Sequence, residues 1–286
     1  MPKSAKARSQ EAVPPPLPEP LAVPVADSHT HLDMQQERQG TPVAEALERA
    51  AAVGVTRVVQ IGCDLPRARW AAKIAAEHEA VWGAVALHPN EAPRIAAAEG
   101  DAALDAALAE IAELAAQPRV AAVGETGLDY FRTGPEGVAV QQRSFREHIR
   151  IAKELDKALV IHDREAHADV LRILTEEGAP RRTVFHCFSG DAAMAEVCAA
   201  AGYFMSFAGN VTFASAQPLR DALAAAPPEL LLVETDAPFL TPAPWRGRPN
   251  APYLIPVTLR AMAEVKGLPE DELARHVAAN TARAFG

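Results

Sequence analysis

Eight short runs of β-branched and apolar residues alternate with longer stretches rich in Ala, Leu, Glu and Arg. The predicted strands are 25–31, 56–62, 81–89, 120–127, 158–163, 183–190, 203–210 and 230–238. Helical stretches between and after them include 43–53, 66–79, 139–156, 165–177, 250–267 and 270–285. This alternation predicts an α/β fold, a (β/α)8 TIM barrel, with a doubly wound open sheet as the alternative.

The chain divides into a short extension and one long folded unit. Residues 1–22 are rich in Pro, Ala, Ser and charge and have no hydrophobic period, which predicts a disordered Pro-rich extension. From residue 23 to residue 286 we find no repeat and no linker composition. We therefore expect a single barrel domain over 23–286.

Composition narrows the class of protein. With 49% apolar residues the chain can bury a full core. It has no apolar run near the ~18 residues of a membrane span and no secretion signal. Its three cysteines, Cys63, Cys187 and Cys198, show no CxxC spacing, so we expect a cytoplasmic protein without a thiolate zinc site. A net charge of -9 argues against extensive, sequence-independent binding of duplex nucleic acid, which needs many Lys and Arg residues against the phosphates.

Metal-ligand side chains stand at the ends of six predicted strands. They are His29 and His31, His88, Glu125, His162, His186 and Asp236. In a barrel of this kind the C-terminal strand ends carry the active site. Because strand side chains alternate, His29 and His31 share one face, and Cys187 should point outward, away from His186.

Such a set can hold two divalent ions. A reasonable division gives one ion His29, His31 and Asp236, gives the other His162 and His186, and lets Glu125 bridge them. Open coordination positions would remain for water and substrate, which is typical of a catalytic site. Asp236, as ligand and proton acceptor, would take the proton of the attacking water. The sequence does not decide between Mg²⁺, Mn²⁺ and Zn²⁺.

Other polar residues allow two interpretations. His88 either contacts substrate or caps the turn before Pro89, and Arg164 either holds a phosphate or lies on a helix surface. Glu234 is either a partner of a ligand or a buried, paired carboxylate. The histidines inside helical stretches are predicted to be structural: His78, His148, His167 and His276.

Eight motifs occur in a specific order: DSHTHLD (27–33), ALHPNEA (86–92), GETGLDYFR (124–132), LVIHDREA (159–166), FHCFSG (185–190), SFAGNVTF (206–213), ETDAPFLTP (234–242) and NTARAFG (280–286). From about residue 25 to the C-terminus the chain thereby resembles the TatD family of metal-dependent hydrolases, in the amidohydrolase-like superfamily. The resemblance implies a TIM barrel with a divalent-metal centre and deoxyribonuclease activity, often 3′-to-5′. The substrate would be single-stranded DNA or a 3′ end, without a membrane or an obligate protein partner.

The resemblance also implies roles for single residues. The ligands would be His29, His31, Glu125, His162, His186 and Asp236, with His88 and Arg164 near the substrate phosphate. The chain departs from the family at Trp245, where a His is frequent, and at Ala251, where an acid or amide is frequent. The resemblance would place these positions in a loop, 241–252, that faces the substrate. An acyl or amide hydrolase that uses the same barrel and water, such as a D-aminoacyl-tRNA deacylase, remains an alternative, as does a non-catalytic binding module.

Overall fold

The structure is a computed structural model, and it describes residues 13–286. Its eight parallel strands are β1 (Val25–Thr30), β2 (Val55–Gly62), β3 (Val81–Val85), β4 (Val120–Asp129), β5 (Ala158–Arg164), β6 (Thr183–Phe185), β7 (Phe204–Phe207) and β8 (Leu231–Val233). They pair in the order of the chain, and a bridge between Thr30 and Ala237 joins the two ends of the sheet. The TIM barrel prediction is confirmed, and the open sheet was the wrong alternative.

Helices connect consecutive strands and cover the outside of the barrel. They are α1 (Leu32–Gln39), α2 (Val43–Ala51), α3 (Leu65–Glu77), α4 (Glu91–Glu99), α5 (Asp101–Ala115), α6 (Pro135–Glu154), α7 (His167–Glu177), α8 (Ala192–Ala200), α9 (Gln217–Ala225), α10 (Ile255–Lys266) and α11 (Glu270–Phe285). Within the described part of the chain, none of them combines the length and the apolar character needed to cross a membrane.

Alternation along the strands separates the barrel interior from the layer under the helices. In β5, Ala158 and Val160 pack in a cluster made mainly of strand residues, whereas Leu159 packs in the cluster shared with the helices. His162 has the same parity as Ala158 and Val160, so its side chain lies at the C-terminal end of the barrel interior. The fold thus gathers the inward-facing residues of the strand ends at one mouth.

The N-terminal extension differs from its prediction. Residues 1–12 lie outside the described residues, but residues 13–22 contact the barrel. Leu21 is 6% exposed and packs in the main core, and the Tyr253 hydroxyl donates a hydrogen bond to the Pro15 carbonyl at 2.8 Å. The prediction of disorder is therefore wrong for residues 13–22. A Pro-rich segment needs no hydrophobic period to pack, because one apolar anchor and a few backbone carbonyls are enough.

Candidate metal centre

A buried carboxylate fixes the first strand to the last. Asp27 accepts hydrogen bonds from the backbone N–H of Thr235 at 2.9 Å, from its hydroxyl, and from the N–H of His29 at 3.2 Å. Burial raises the pKa of Asp27 to about 8. Asp27 thereby holds the end of β1 against the segment that follows β8.

Backbone hydrogen bonds then place the two histidines of the HxH motif beside Asp236. The N–H of Asp236 donates to the His29 carbonyl at 2.9 Å, and the N–H of His31 donates to the Ala237 carbonyl at 2.8 Å. Asp236 Oδ1 lies 3.4 Å from His31 Nε2 and 3.8 Å from His29 Nε2. These three side chains form one side of the mouth.

Glu125, in the middle of β4, is the point at which the imidazoles converge. Its Oε2 lies 2.5 Å from His186 Nε2, 3.4 Å from His162 Nδ1 and 3.8 Å from His29 Nε2. Gly127 permits the close approach of β4 and β5 here, because a Cβ at this position would lie 2.1 Å from the His162 carbonyl oxygen. Glu125 is therefore shared between the His29 side and the His162 side of the mouth.

Several buried polar atoms of this cluster are poorly paired. Among the residues described, both ring nitrogens of His29 and Glu234 Oε2 have no hydrogen-bond partner, while Glu125 Oε2 and His162 Nε2 lie beside the side chains of His186 and Asp129. An unpaired buried polar atom lowers the stability of a folded protein by about 1–3 kcal/mol. Several such atoms at one place therefore indicate a binding site for a ligand. Nitrogen and carboxylate donors suit a divalent ion. Two ligand groups share Glu125, namely His29 with His31, and His162 with His186. The residues present fit a divalent-metal centre.

Two further carboxylates orient the imidazoles. Glu234 Oε1 lies 3.4 Å from His186 Nδ1 and accepts the N–H of Cys187 at 2.9 Å, while Asp129 Oδ2 lies 3.4 Å from His162 Nε2. A carboxylate on one ring nitrogen leaves the other to face the centre. Burial by itself lowers the pKa of His186, but the Glu125 and Glu234 carboxylates outweigh burial and raise this pKa well above its ordinary value. An ion would have to displace that proton.

His88 lies in the loop after β3 and is a neutral hydrogen-bond donor. Its Nδ1 accepts the backbone N–H of Asn90 at 3.1 Å, which leaves the proton on Nε2. Burial lowers the pKa of His88 to about 3, so the ring carries no charge at neutral pH. His88 Nε2 lies 3.9 Å from Glu125 Oε1, on the edge of the centre.

Both cysteines near the centre line the cavity, and one prediction about them is wrong. Cys187 was expected to point outward, but β6 ends at Phe185 and Cys187 has a φ of +42°, so strand alternation stops before it. Cys63, directly after β2, donates its thiol hydrogen to Glu125 Oε1 at 3.2 Å. The strand-end rule that found the histidines also applies to Cys63.

The centre opens into one cavity of about 630 Å³. Its lining includes His31, His88, Glu125, His162, Arg164, His186 and Asp236. Arg164, the last residue of β5, has no carboxylate partner among residues 13–286, and its guanidinium carbon lies 3.9 Å from the centroid of the Phe131 ring. The cavity thus combines candidate metal ligands, a neutral donor and a free cation, and it is large enough for a small substrate or a chain end.

The chain matches the profile of a known family, described as TatD related DNase, over residues 26–286. The chain belongs to the TatD family. It is 47% identical to the uncharacterized metal-dependent hydrolase TatD of Mycobacterium tuberculosis, over 92% of this chain and 98% of that protein. It is 34% identical to the 3′-5′ ssDNA/RNA exonuclease TatD of Escherichia fergusonii, over 85% of this chain and 92% of that protein.

A solved structure agrees with the family assignment. The crystal structure of YjjV, a TatD homologue from Escherichia coli K12, superposes with a TM-score of 0.78 at 28% identity, over 91% of this chain and 97% of that chain. This TatD-family chain is a metal-dependent hydrolase. The resemblance to the family and the expectation of a hydrolase are confirmed.

Proposed function

We propose that this TatD-family protein is a divalent-metal-dependent deoxyribonuclease that removes nucleotides from the 3′ end of single-stranded DNA. The convergence of buried imidazoles on the Glu125 carboxylate, together with the unpartnered ring nitrogens of His29, carries the proposal. The name of the relative from Escherichia fergusonii, a 3′-5′ ssDNA/RNA exonuclease, supports the reaction and its direction.

In this proposal six candidate ligands would hold two ions. His29, His31 and Asp236 would hold the first and His162 and His186 the second, with Glu125 shared between them. When bound, two divalent ions lower the pKa of a water molecule and neutralise the oxygens of a phosphoryl group.

The chain's own residues supply the proton transfer and the positioning. As water attacks the phosphorus and the P–O ester bond breaks, Asp236 accepts the water's proton and the leaving oxygen takes a proton from solvent. The Asp236 side chain is 15% exposed against 6% for Glu125, so it is the carboxylate that water reaches more easily. His88 donates its Nε2 hydrogen to a phosphoryl oxygen as a neutral group. Arg164, without a carboxylate partner in the described part of the chain, provides the positive charge. This free guanidinium favours a substrate that carries a phosphate over a neutral ester or amide.

The proposal is tested with end-labelled single-stranded and double-stranded DNA and RNA after the metal-free protein is loaded with Mg²⁺, Mn²⁺ or Zn²⁺. We expect a ladder of products shortened from the 3′ end of single-stranded DNA. Cleavage of a D-aminoacyl-tRNA or of a nitrophenyl ester, with every nucleic acid left intact, would refute the nuclease and favour the acyl hydrolase.

A further inference from the structure

Two phenylalanines are exposed at the mouth of the barrel. Phe131 is 58% exposed and Phe239 is 39% exposed, and they are the exposed phenylalanines among residues 13–286. An isolated exposed apolar side chain is ordinary and calls for no explanation. The positions of these two rings, relative to the centre and to arginines, are what make them informative.

Phe131 stands two residues after β4, the strand that carries Glu125. The Arg164 guanidinium stacks on it, with 3.9 Å between the guanidinium carbon and the ring centroid, and Arg164 itself lines the cavity. Asp129 fixes the turn by accepting the N–H of Phe131 at 3.1 Å and the N–H of Arg132 at 2.9 Å. The ring is therefore held at the rim on one side of the centre.

Phe239 stands on the other side. Its N–H donates to the Asp236 carbonyl at 2.8 Å, its ring centroid lies 6.1 Å from that of His31, and it lines the cavity. The Arg38 guanidinium of α1 lies 4.9 Å from the ring centroid. Because the eight strands follow one another around the barrel, the loop after β4 lies across the mouth from the segment after β8. Phe239 thus lines the cavity directly, and on the opposite side of the mouth Arg164 lines it with Phe131 stacked on its guanidinium.

The arginines that stack on the two exposed rings have no carboxylate partner within the described range: Arg164 stacks on Phe131 and Arg38 on Phe239. Arg132 also lines the cavity without such a partner, whereas Arg67, in the same lining, pairs with three carboxylates. Arginine–ring stacks occur outside the cavity lining too, as with Arg57 on Trp82, so it is the position of Arg164 and Arg38 beside the exposed rings that matters. In a chain of net charge -9, free cations beside aromatic rings at one mouth suit a ligand that is both anionic and aromatic.

We propose that Phe131 and Phe239 are base-stacking platforms that hold the unpaired nucleotides on the two sides of the scissile phosphate. This inference rests on the proposed nuclease function and names how its substrate is held. A base within a duplex is already stacked and paired, so only an unpaired strand offers its bases to both rings without an unstacking cost. The rings select single strands by shape and stacking, and the sequence of the strand matters little.

The experiment combines ring variants with strands that lack a base. Phe131→Leu and Phe239→Leu keep an apolar side chain and remove the aromatic face, Phe→Trp variants restore it, and Val197→Ala alters an exposed apolar residue of α8 as the control. Affinity for a short fluorescent oligothymidylate is measured by anisotropy in the Asp236→Asn background with a chelator present, so that the strand stays uncut. A second set of strands carries an abasic tetrahydrofuran at one of the last two 3′ positions.

We expect each Leu variant to bind the intact strand about ten-fold more weakly, with the Trp variants close to the parent. The parent should bind a base-free strand about ten-fold more weakly, and the matching Leu variant should lose nothing further on that strand. Unchanged affinity in the Leu variants, or the same loss on intact and base-free strands, would overturn the inference.

Cleavage by the unmodified protein with Mn²⁺ is measured separately, so the two proposals fail in different ways. Coupling between ring and base without any cleavage refutes the nuclease and retains the stacking. Cleavage of the strand without such coupling retains the nuclease and refutes the stacking.

Discussion

Two fully buried histidines, His148 under the helices and His29 at the barrel mouth, have opposite surroundings. His148 accepts the N–H of Leu87 on Nε2 at 3.1 Å and donates from Nδ1 to the Ser144 carbonyl at 2.7 Å, with the Thr126 hydroxyl 3.0 Å from Nδ1. Neither ring nitrogen of His29 has a hydrogen-bond partner among the residues described. Both side chains are 0% exposed. Burial alone thus does not distinguish His148 from His29, but the hydrogen bonds of their ring nitrogens do.

The difference extends to the surroundings of each residue. His148 links α6 to the ends of β3 and β4, so its bonds contribute to folding. The mouth instead retains unpaired donors and acceptors, which lower the stability of the metal-free protein. A bound ion would pair with these atoms, and because it binds only the folded state it would stabilise the protein. We therefore expect changes at the mouth to act on activity and metal affinity, and changes at His148 to act on the free energy of unfolding.

The largest effect is expected from His29→Ala. The loss of one ligand weakens the binding of an ion that lowers the activation free energy by several kcal/mol. The cleavage rate should therefore fall by about 1000-fold or more. The melting temperature measured with a chelator should change little, because no hydrogen bond of His29 is lost. Near wild-type cleavage would remove His29 from the centre.

Asp236→Asn tests the proton acceptor within the same region. The amide keeps the shape and one oxygen but removes the charge and the basicity, so kcat should fall by about 100-fold while KM changes far less. Single-turnover and steady-state rates on a labelled single strand separate the two constants. If KM carried the whole effect, Asp236 would bind substrate and would not act as a base.

His148→Ala tests the other side of the comparison. It leaves the Leu87 N–H and the Ser144 carbonyl unpaired in the core, which should lower the free energy of unfolding by about 3 kcal/mol. Urea unfolding with a chelator measures the change, and His276→Ala, in α11, is the matched control. A loss of activity per folded molecule without a loss of stability would contradict the structural role.

The pKa of His148 adds a smaller effect with a defined sign. Burial lowers this pKa from 6.5 to about 4, so below pH 6.5 the unfolded chain binds a proton that the folded chain does not. The stability that this group contributes should fall by about 1.6 kcal/mol between pH 6.5 and pH 5. Over this pH range the free energy of unfolding of His148→Gln should fall by that much less than the free energy of unfolding of the unmodified protein. An equal fall in the two proteins would contradict the lowered pKa of His148.

The sequence was sufficient for the barrel and for the gathering of polar residues at its mouth. Strand periodicity and the rule of C-terminal strand ends bring His29, Glu125 and Asp236 within a few ångströms of one another. Strand periodicity and the position of strand ends repeat in every strand–helix unit of the barrel, so a local sequence pattern can predict them.

Features that depend on irregular backbone were missed. Strand alternation predicted the wrong direction for Cys187, because the chain turns to positive φ there. Asp129 and the rings of Phe131 and Phe239 lie at or beyond strand ends, in segments without a period. The fixed tautomer of His88 depends on the N–H of Asn90 two residues later, which no composition or spacing rule reveals.

The two-ion centre is tested most directly by an anomalous difference map from crystals soaked in Mn²⁺. We expect two peaks at the mouth, one beside His29, His31 and Asp236 and the other beside His162 and His186, with Glu125 contacting both. Empty density at the mouth, or a single peak at full occupancy, would contradict the proposal that these unpaired atoms hold a two-ion centre.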